Sequence, residues 1–376
     1  MTKKIFITIG VIAVVAIGVL FILNKGDKKH EIINIGAILP MTGDLANYAI
    51  SLKKGMDLAV EEINSKGGIN NALLNVIYED DKGEAKNAIS AYRKLVDIDK
   101  VQMVIGGMFS VSTFAIAPLA EKEHKVLLSP TASAIELTTA GDYIFRIYPS
   151  DIYDGIFLSE FAAKSLSARK IAIAFEQVAS ITAISNRFKE NFEALGGIVV
   201  FFEGYNSDIK DFSSILKKID NIKPDLVFIP GNINSMANFL IQAKKLNIKY
   251  QYLTISTFYD PKIIELAKDA TEGILFSSPM FDPNSENKEV KLFVQLYQTK
   301  YNATADILGG YGYDVVNIAG KSLQNGNIAD AIKNNLYQIK DFPGVTGTTT
   351  FNSNGDVDKE LRIMTVKGGK FEPYIK

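Results

Sequence analysis

The chain has 376 residues, 47% hydrophobic and 22% charged, an ordinary globular composition with room for roughly two domains of about 150 residues each. Its 41 basic and 42 acidic side chains are interspersed and leave a formal net charge of -1, so nothing marks a nucleic-acid partner. Cysteine is absent and only His30 and His124 represent histidine, which removes disulfides, thiolate metal sites and thiol nucleophiles and leaves little from which to build a histidine-dependent triad; no metal or cofactor is expected.

Lys3 and Lys4 precede an uncharged stretch, residues 5–23, that as a helix would span about 28 Å, enough to cross the hydrocarbon core of a membrane. The stretch reads as a signal peptide or an uncleaved signal-anchor; no small-residue cleavage site follows and residues 24–29 are a polar tether, which favours the anchor over residues 1–30. From residue 31 short apolar runs alternate with amphipathic stretches. Residues 32–39 predict a strand buried on both faces, and Leu52, Met56, Val60 and Ile63 recur at helical spacing until Gly67 and Gly68 stop the helix. Further strands are predicted at 73–78, 101–105, 126–128, 171–175, 198–202, 226–229 and 250–253, with a helix over 85–97. Serial strand-helix units imply parallel sheets wrapped by helices.

Pro149-Ser150-Asp151 and the segment 278–283 read as passages from one lobe to another, with a third near Gly344-Val345-Thr346-Gly347. That makes residues 31–150 plus 279–345 the first lobe and 151–278 plus 346–376 the second. In open parallel sheets, ligands bind beyond the carboxyl ends of the strands, where helix N-termini present free N–H groups. Two loops fit: residues 106–113, with Ser110 at a helix start, and residues 129–133, with Thr131 and Ser133. Serine and threonine at such positions cap helices as readily as they bind ligands. Asp80-Asp81 reads as capping or solvated, Asn302-Ala303-Thr304 as a chance sequon, and Tyr311, Tyr313 and Asp314 as core. No dinucleotide fingerprint, phosphate loop or nucleophile elbow is present, and no enzyme is expected.

Ile35-Gly36-Ala37-Ile38-Leu39-Pro40-Met41-Thr42-Gly43, Gly55-Met56-Asp57-Leu58-Ala59, Val104-Ile105-Gly106-Gly107 with Ser110, Leu128-Ser129-Pro130-Thr131-Ala132-Ser133 and Phe351-Asn352-Ser353-Asn354-Gly355-Asp356 follow one another in order. Together they resemble the leucine/isoleucine/valine-binding proteins of type I periplasmic fold that serve ABC importers. The resemblance implies an α/β fold of two lobes joined by three hinge crossings, an extracytoplasmic location, a small-molecule ligand and an ABC permease as partner, with a sensory module of the same fold as the alternative. It also implies that Ser110, the Thr131 backbone and Ser133 hold a ligand carboxylate while Tyr48 covers the ligand. In the second lobe the pattern departs. The usual tyrosine-glycine pair falls at Val178-Ala179-Ser180, making Ser180 the candidate; an often aromatic position falls at Asn232; and the glutamate that pairs with a ligand ammonium falls at Ser256. A buried ammonium without a counter-charge costs several kcal/mol. The expected ligand therefore has a carboxylate or amide end and an uncharged remainder, and is not a standard zwitterionic amino acid.

Overall fold

The computed structural model describes residues 31–43 and 45–375; the expected membrane anchor over residues 5–23 lies outside them. Among the described residues no helix is long and apolar enough to cross a membrane.

Strands β1 (Ile32–Leu39), β2 (Leu73–Asp80), β3 (Met103–Ile105), β4 (Val126–Ser129) and β5 (Ile144–Arg146) form a wholly parallel sheet in the order β2-β1-β3-β4-β5. The second sheet takes β6 (Lys170–Glu176), β7 (Ile198–Tyr205), β8 (Leu226–Phe228), β9 (Gln251–Thr254) and β10 (Leu275–Pro279). After a hairpin of β11 (Phe342–Gly344) and β12 (Gly347–Thr349), the strands β13 (Leu361–Lys367) and β14 (Lys370–Pro373) extend that sheet antiparallel, in the order β14-β13-β10-β9-β8-β6-β7. Helices separate successive strands, so the central strands are covered on both faces: Ala37, Ile38 and Leu39 are fully buried, as are Ile171, Ala172 and Ile173. The predicted helix over 85–97 is helical throughout, but its last turn, Lys94–Ile98, widens to a π-helix.

Each sheet has its own core, and one passage between them differs from expectation. Gly344 and Gly347 do not carry the chain across; they close the β11–β12 hairpin, and Val345 packs in the first core. The buried Asp314 carboxylate holds that turn by accepting the Val345 and Thr346 N–H groups, both at 2.8 Å. Phe351 and Val357 still belong to the first core, the Arg146 N–H donates to the Gly355 carbonyl, and the second sheet is rejoined only at Leu361. A turn rich in glycine is equally suited to a tight hairpin and to a crossing, and the Asp314 contacts select the hairpin.

In the first lobe the helices Ala46–Ser65 and Ile307–Ser322 pack backbone to backbone. A Cβ at Gly312 would sit 1.9 Å from the Leu52 carbonyl oxygen, and one at Gly55 1.9 Å from that of Gly309. Only glycine permits this approach, and it brings Tyr48 and Tyr311, from opposite ends of the sequence, to one wall of the gap between lobes.

Candidate ligand-binding cleft

The carboxyl ends of β1, β3 and β4 face the end of β9 across a cleft of about 380 Å³, within the range of about 300–1,000 Å³ usual for small-molecule sites. Sheet order reverses between β1 and β3, where ligands of such sheets collect.

The two ligand loops of the first lobe are stitched together. Ser129 Oγ donates to the Gly107 carbonyl at 2.8 Å, and Thr131 Oγ1 to the Met108 carbonyl at 2.6 Å. The Ala134 N–H donates to Ser110 Oγ at 3.2 Å. Ser110 thus stands directly behind the Ser133 turn, with its own O–H donor not used in that bond. Gly106, at φ +146, lies so close to β1 that a Cβ would meet the Ile38 carbonyl oxygen at 2.8 Å. From below, the fully buried Arg146 guanidinium donates to the Ala134 carbonyl at 2.7 Å, to Asp356 Oδ1 at 2.6 Å and to Thr138 Oγ1 at 2.8 Å. A buried charge is costly unless it is paired and hydrogen-bonded, so a shift of the loop would take the Ala134 acceptor from the guanidinium.

Of the residues the sequence singles out, Tyr48, Thr131, Ser133 and Ser256 line the cleft, while Ser110 stands behind the Ser133 turn and is not among the lining residues. Tyr48 meets the Phe109 ring edge-on, and its hydroxyl donates across the cleft to Asp260 Oδ2 at 3.0 Å, joining the lobes. Ser180, in the first turn of the helix Ala179–Ala194, and Asn232 are not among the cleft-lining residues. Asn232 is committed elsewhere. Its Oδ1 accepts the Ser235 N–H to cap the helix Ile233–Lys245, its Nδ2 and N–H both donate to the Glu176 carboxylate at 2.7 Å, and it borders a separate cavity of about 320 Å³ on the second lobe.

Sequence reasoning missed three carboxylates. Asp151, read only as part of a crossing, opens the helix Asp151–Glu160 and lines the cleft. Its N–H donates to the Ser133 carbonyl at 2.8 Å. Burial, and then the neighbouring Asp154, push its carboxyl up to about 6, against the pull of the Ser133 hydroxyl and Arg146. Asp154, one turn on, is buried and raised in the same direction, and its Oδ2 accepts Ser256 Oγ–H at 3.0 Å. Asp260 caps the helix Pro261–Ala267 at the rim. The remaining wall is apolar and aromatic: Met108, Phe109, Tyr148, Ile307, Leu308 and Tyr311.

The family described as periplasmic binding protein matches residues 32–370, nearly all of the chain described. The chain belongs to the periplasmic binding protein family. Within it, the resemblance is to the leucine/isoleucine/valine branch of ABC-transporter substrate-binding proteins. A leucine-, isoleucine-, valine-, threonine- and alanine-binding protein of Pseudomonas aeruginosa is 28% identical over 330 residues, 87% of each chain. A branched-chain amino acid transporter substrate binding protein of Streptococcus pneumoniae, solved in complex with isoleucine, is 30% identical with a TM-score of 0.77, over 91% of this chain and 98% of that one. A leucine binding protein of Thermotoga maritima superimposes with a TM-score of 0.78 at 26% identity, over the same shares. The chain is a solute-binding protein and not an enzyme, and its place is extracytoplasmic.

These relatives overturn the expectation of a ligand that is not an amino acid. The Streptococcus pneumoniae protein holds isoleucine, and a structural neighbour from Desulfitobacterium hafniense was solved with leucine. The expectation rested on a missing counter-charge at Ser256. Carboxylates do stand at the cleft: Asp151 and Asp260 line it, and the buried Asp154 accepts the hydroxyl of Ser256.

Proposed function

We propose that this periplasmic binding protein closes on an aliphatic α-amino acid of the branched-chain type and delivers it to an ABC permease. One observation carries the reading. Two hydroxyl-bearing loops, an acidic side and an apolar wall meet in a single cleft, in a chain 30% identical to a protein that binds isoleucine. Ser110, the Thr131 N–H and Ser133 receive the ligand carboxylate by charge-assisted hydrogen bonds of about 1.5–3 kcal/mol each. Tyr48 covers the ligand, and the wall formed by Met108, Ile307 and Leu308 accepts its side chain. The passages at 147–150, 279–281 and 358–360 act as three hinges, and contacts made only in the closed form bias the motion. Residues 5–23 tether the protein to the membrane it serves.

Titration calorimetry of the full chain against isoleucine, leucine and valine tests this. Saturable one-to-one binding is expected for at least one of them, with compaction in small-angle scattering. No heat at millimolar amino acid, with no compaction, refutes it.

A further inference from the structure

The third passage between the lobes, residues 358–360, carries a charge that the ligand site does not use. The Lys359 side chain is 1% exposed, while Asp358 and Glu360 on either side of it are exposed. Its ammonium donates to Thr346 Oγ1 at 2.7 Å, and that hydroxyl donates onward to Asp314 Oδ2 at 2.5 Å. The Asp314 carboxylate itself lies 4.0 Å from the ammonium, and the centre of the Tyr311 ring 5.1 Å. These partners all belong to the first lobe. The second lobe stands on the other side: residues 358–361 share a groove of about 580 Å³ with Tyr153, Ile156, Phe157 and Glu160 of the helix Asp151–Glu160.

Arg146 and Lys359 are both buried cations, but they are kept differently. The Arg146 guanidinium has three acceptors, whereas among the described residues the Lys359 ammonium makes one hydrogen bond. The cost of taking it out of water is therefore only partly offset. On a hinge, the water that reaches such a group depends on the angle between the lobes, and the Tyr48–Asp260 hydrogen bond across the cleft marks this structure as a closed one.

We propose that Lys359 couples lobe closure to proton release: its ammonium is hydrated when the lobes stand apart and gives up its proton when closure packs the helix Asp151–Glu160 against the third passage. The inference rests on the reading of amino-acid binding and closure above and goes beyond it, since no ligand contact requires a titrating group at the hinge.

Burial lowers the Lys359 ammonium to about 8 in the closed form, against the pull of Asp314. In the parted form hydration returns it towards the ordinary lysine value of about 10.4. The closed form thus holds fewer protons than the open one, and ligand binding tightens as pH rises through 8. The titratable groups around Lys359 are Asp314 and Tyr311 on the helix Ile307–Ser322, Tyr153 and Glu160 on the helix Asp151–Glu160, and Asp358 and Glu360 beside it. Both tyrosines are raised above the usual range by burial, and in the cleft Asp151, at about 6, is mostly ionised by pH 7. The interval from pH 7 to 8.5 therefore isolates the lysine.

Titration calorimetry of the full chain with isoleucine, in two buffers of unlike ionisation heat, counts the protons released. Wild type is expected to release about half a proton or more per site at pH 8.5 and under about a quarter at pH 7, and to bind about threefold tighter at the higher pH. The ligand's own ammonium works in the opposite direction, since any deprotonated fraction must take up a proton to bind. K359R keeps its charge throughout this interval and K359M never carries one, so in both the extra release and the tightening should disappear. Release and tightening that survive in either variant overturn the proposal. So does a K359M that binds more weakly with the wild-type pH slope intact, which would make Lys359 a brace and nothing more. The wild-type profile also decides without any variant: release below about a tenth of a proton at pH 8.5, or affinity flat between pH 7 and 8.5, is fatal even if both variants fail to fold. A wild-type chain that binds neither isoleucine, leucine nor valine at either pH refutes instead the amino-acid reading itself.

Discussion

The two lobes meet the same cleft by different means. The first presents backbone and hydroxyl groups from consecutive strand ends, locked by hydrogen bonds among Gly107, Met108, Ser110, Ser129, Thr131 and Ala134 and underpinned by Arg146. The second presents Asp151 from its opening helix and, from the loop after β9, Ser256, whose hydroxyl donates to the buried Asp154. A site made of successive loops on one sheet is local in sequence and rigid. One assembled from a helix start and a strand end more than a hundred residues apart depends on how the lobe packs.

The sharpest break in that contrast lies under the first lobe. Asp356→Ala leaves the Arg146 guanidinium buried without its charge partner, which should cost about 3–5 kcal/mol of unfolding free energy in chemical denaturation. It should also loosen ligand binding, because Arg146 supports the Ala134 carbonyl. A change below about 1 kcal/mol would mean that the first lobe's loops stand without this support.

A smaller effect probes the contact between lobes. Tyr48→Phe removes the hydrogen bond to Asp260, which is partly exposed and worth about 1 kcal/mol to the closed form. Ligand release should quicken by about fivefold in stopped-flow measurements while association is little changed. Unaltered release would show that the lobes close without this link.

The smallest expected effect separates the second lobe's structural groups from those that face the cleft. Asn232→Ala removes a helix cap and the side-chain donor to Glu176 and should lower stability by about 1 kcal/mol, with isoleucine affinity unchanged within about twofold. An affinity loss above tenfold would return Asn232 to the cleft.

The fold was open to reading because strand and helix periodicities are local. Residues 32–39 are apolar on both faces, and Leu52, Met56, Val60 and Ile63 mark one helix face; all lie where expected. The place of the two loops was legible for the same reason: Thr131 and Ser133 stand a few residues past a predicted strand and line the cleft, whereas Ser110, equally placed in sequence, stands behind them. The third passage was misplaced because Gly344 and Gly347 suit a hairpin as well as a crossing. What distinguishes the two is the Asp314 carboxylate, which lies thirty residues upstream.

Ser256 shows the limit most plainly. At its position in the chain a serine stands where relatives are expected to carry a glutamate, and by itself that reads as lost charge. Folding places Asp154, 102 residues earlier, at hydrogen-bond distance from it. Alternation of apolar and polar residues therefore dictated the layers and the edges at which a ligand is met, since both follow from backbone geometry over a few residues. Which carboxylates stand beside the cleft was settled only by tertiary packing, because electrostatic interaction depends on distance in space and carries no imprint in the spacing of residues along the chain.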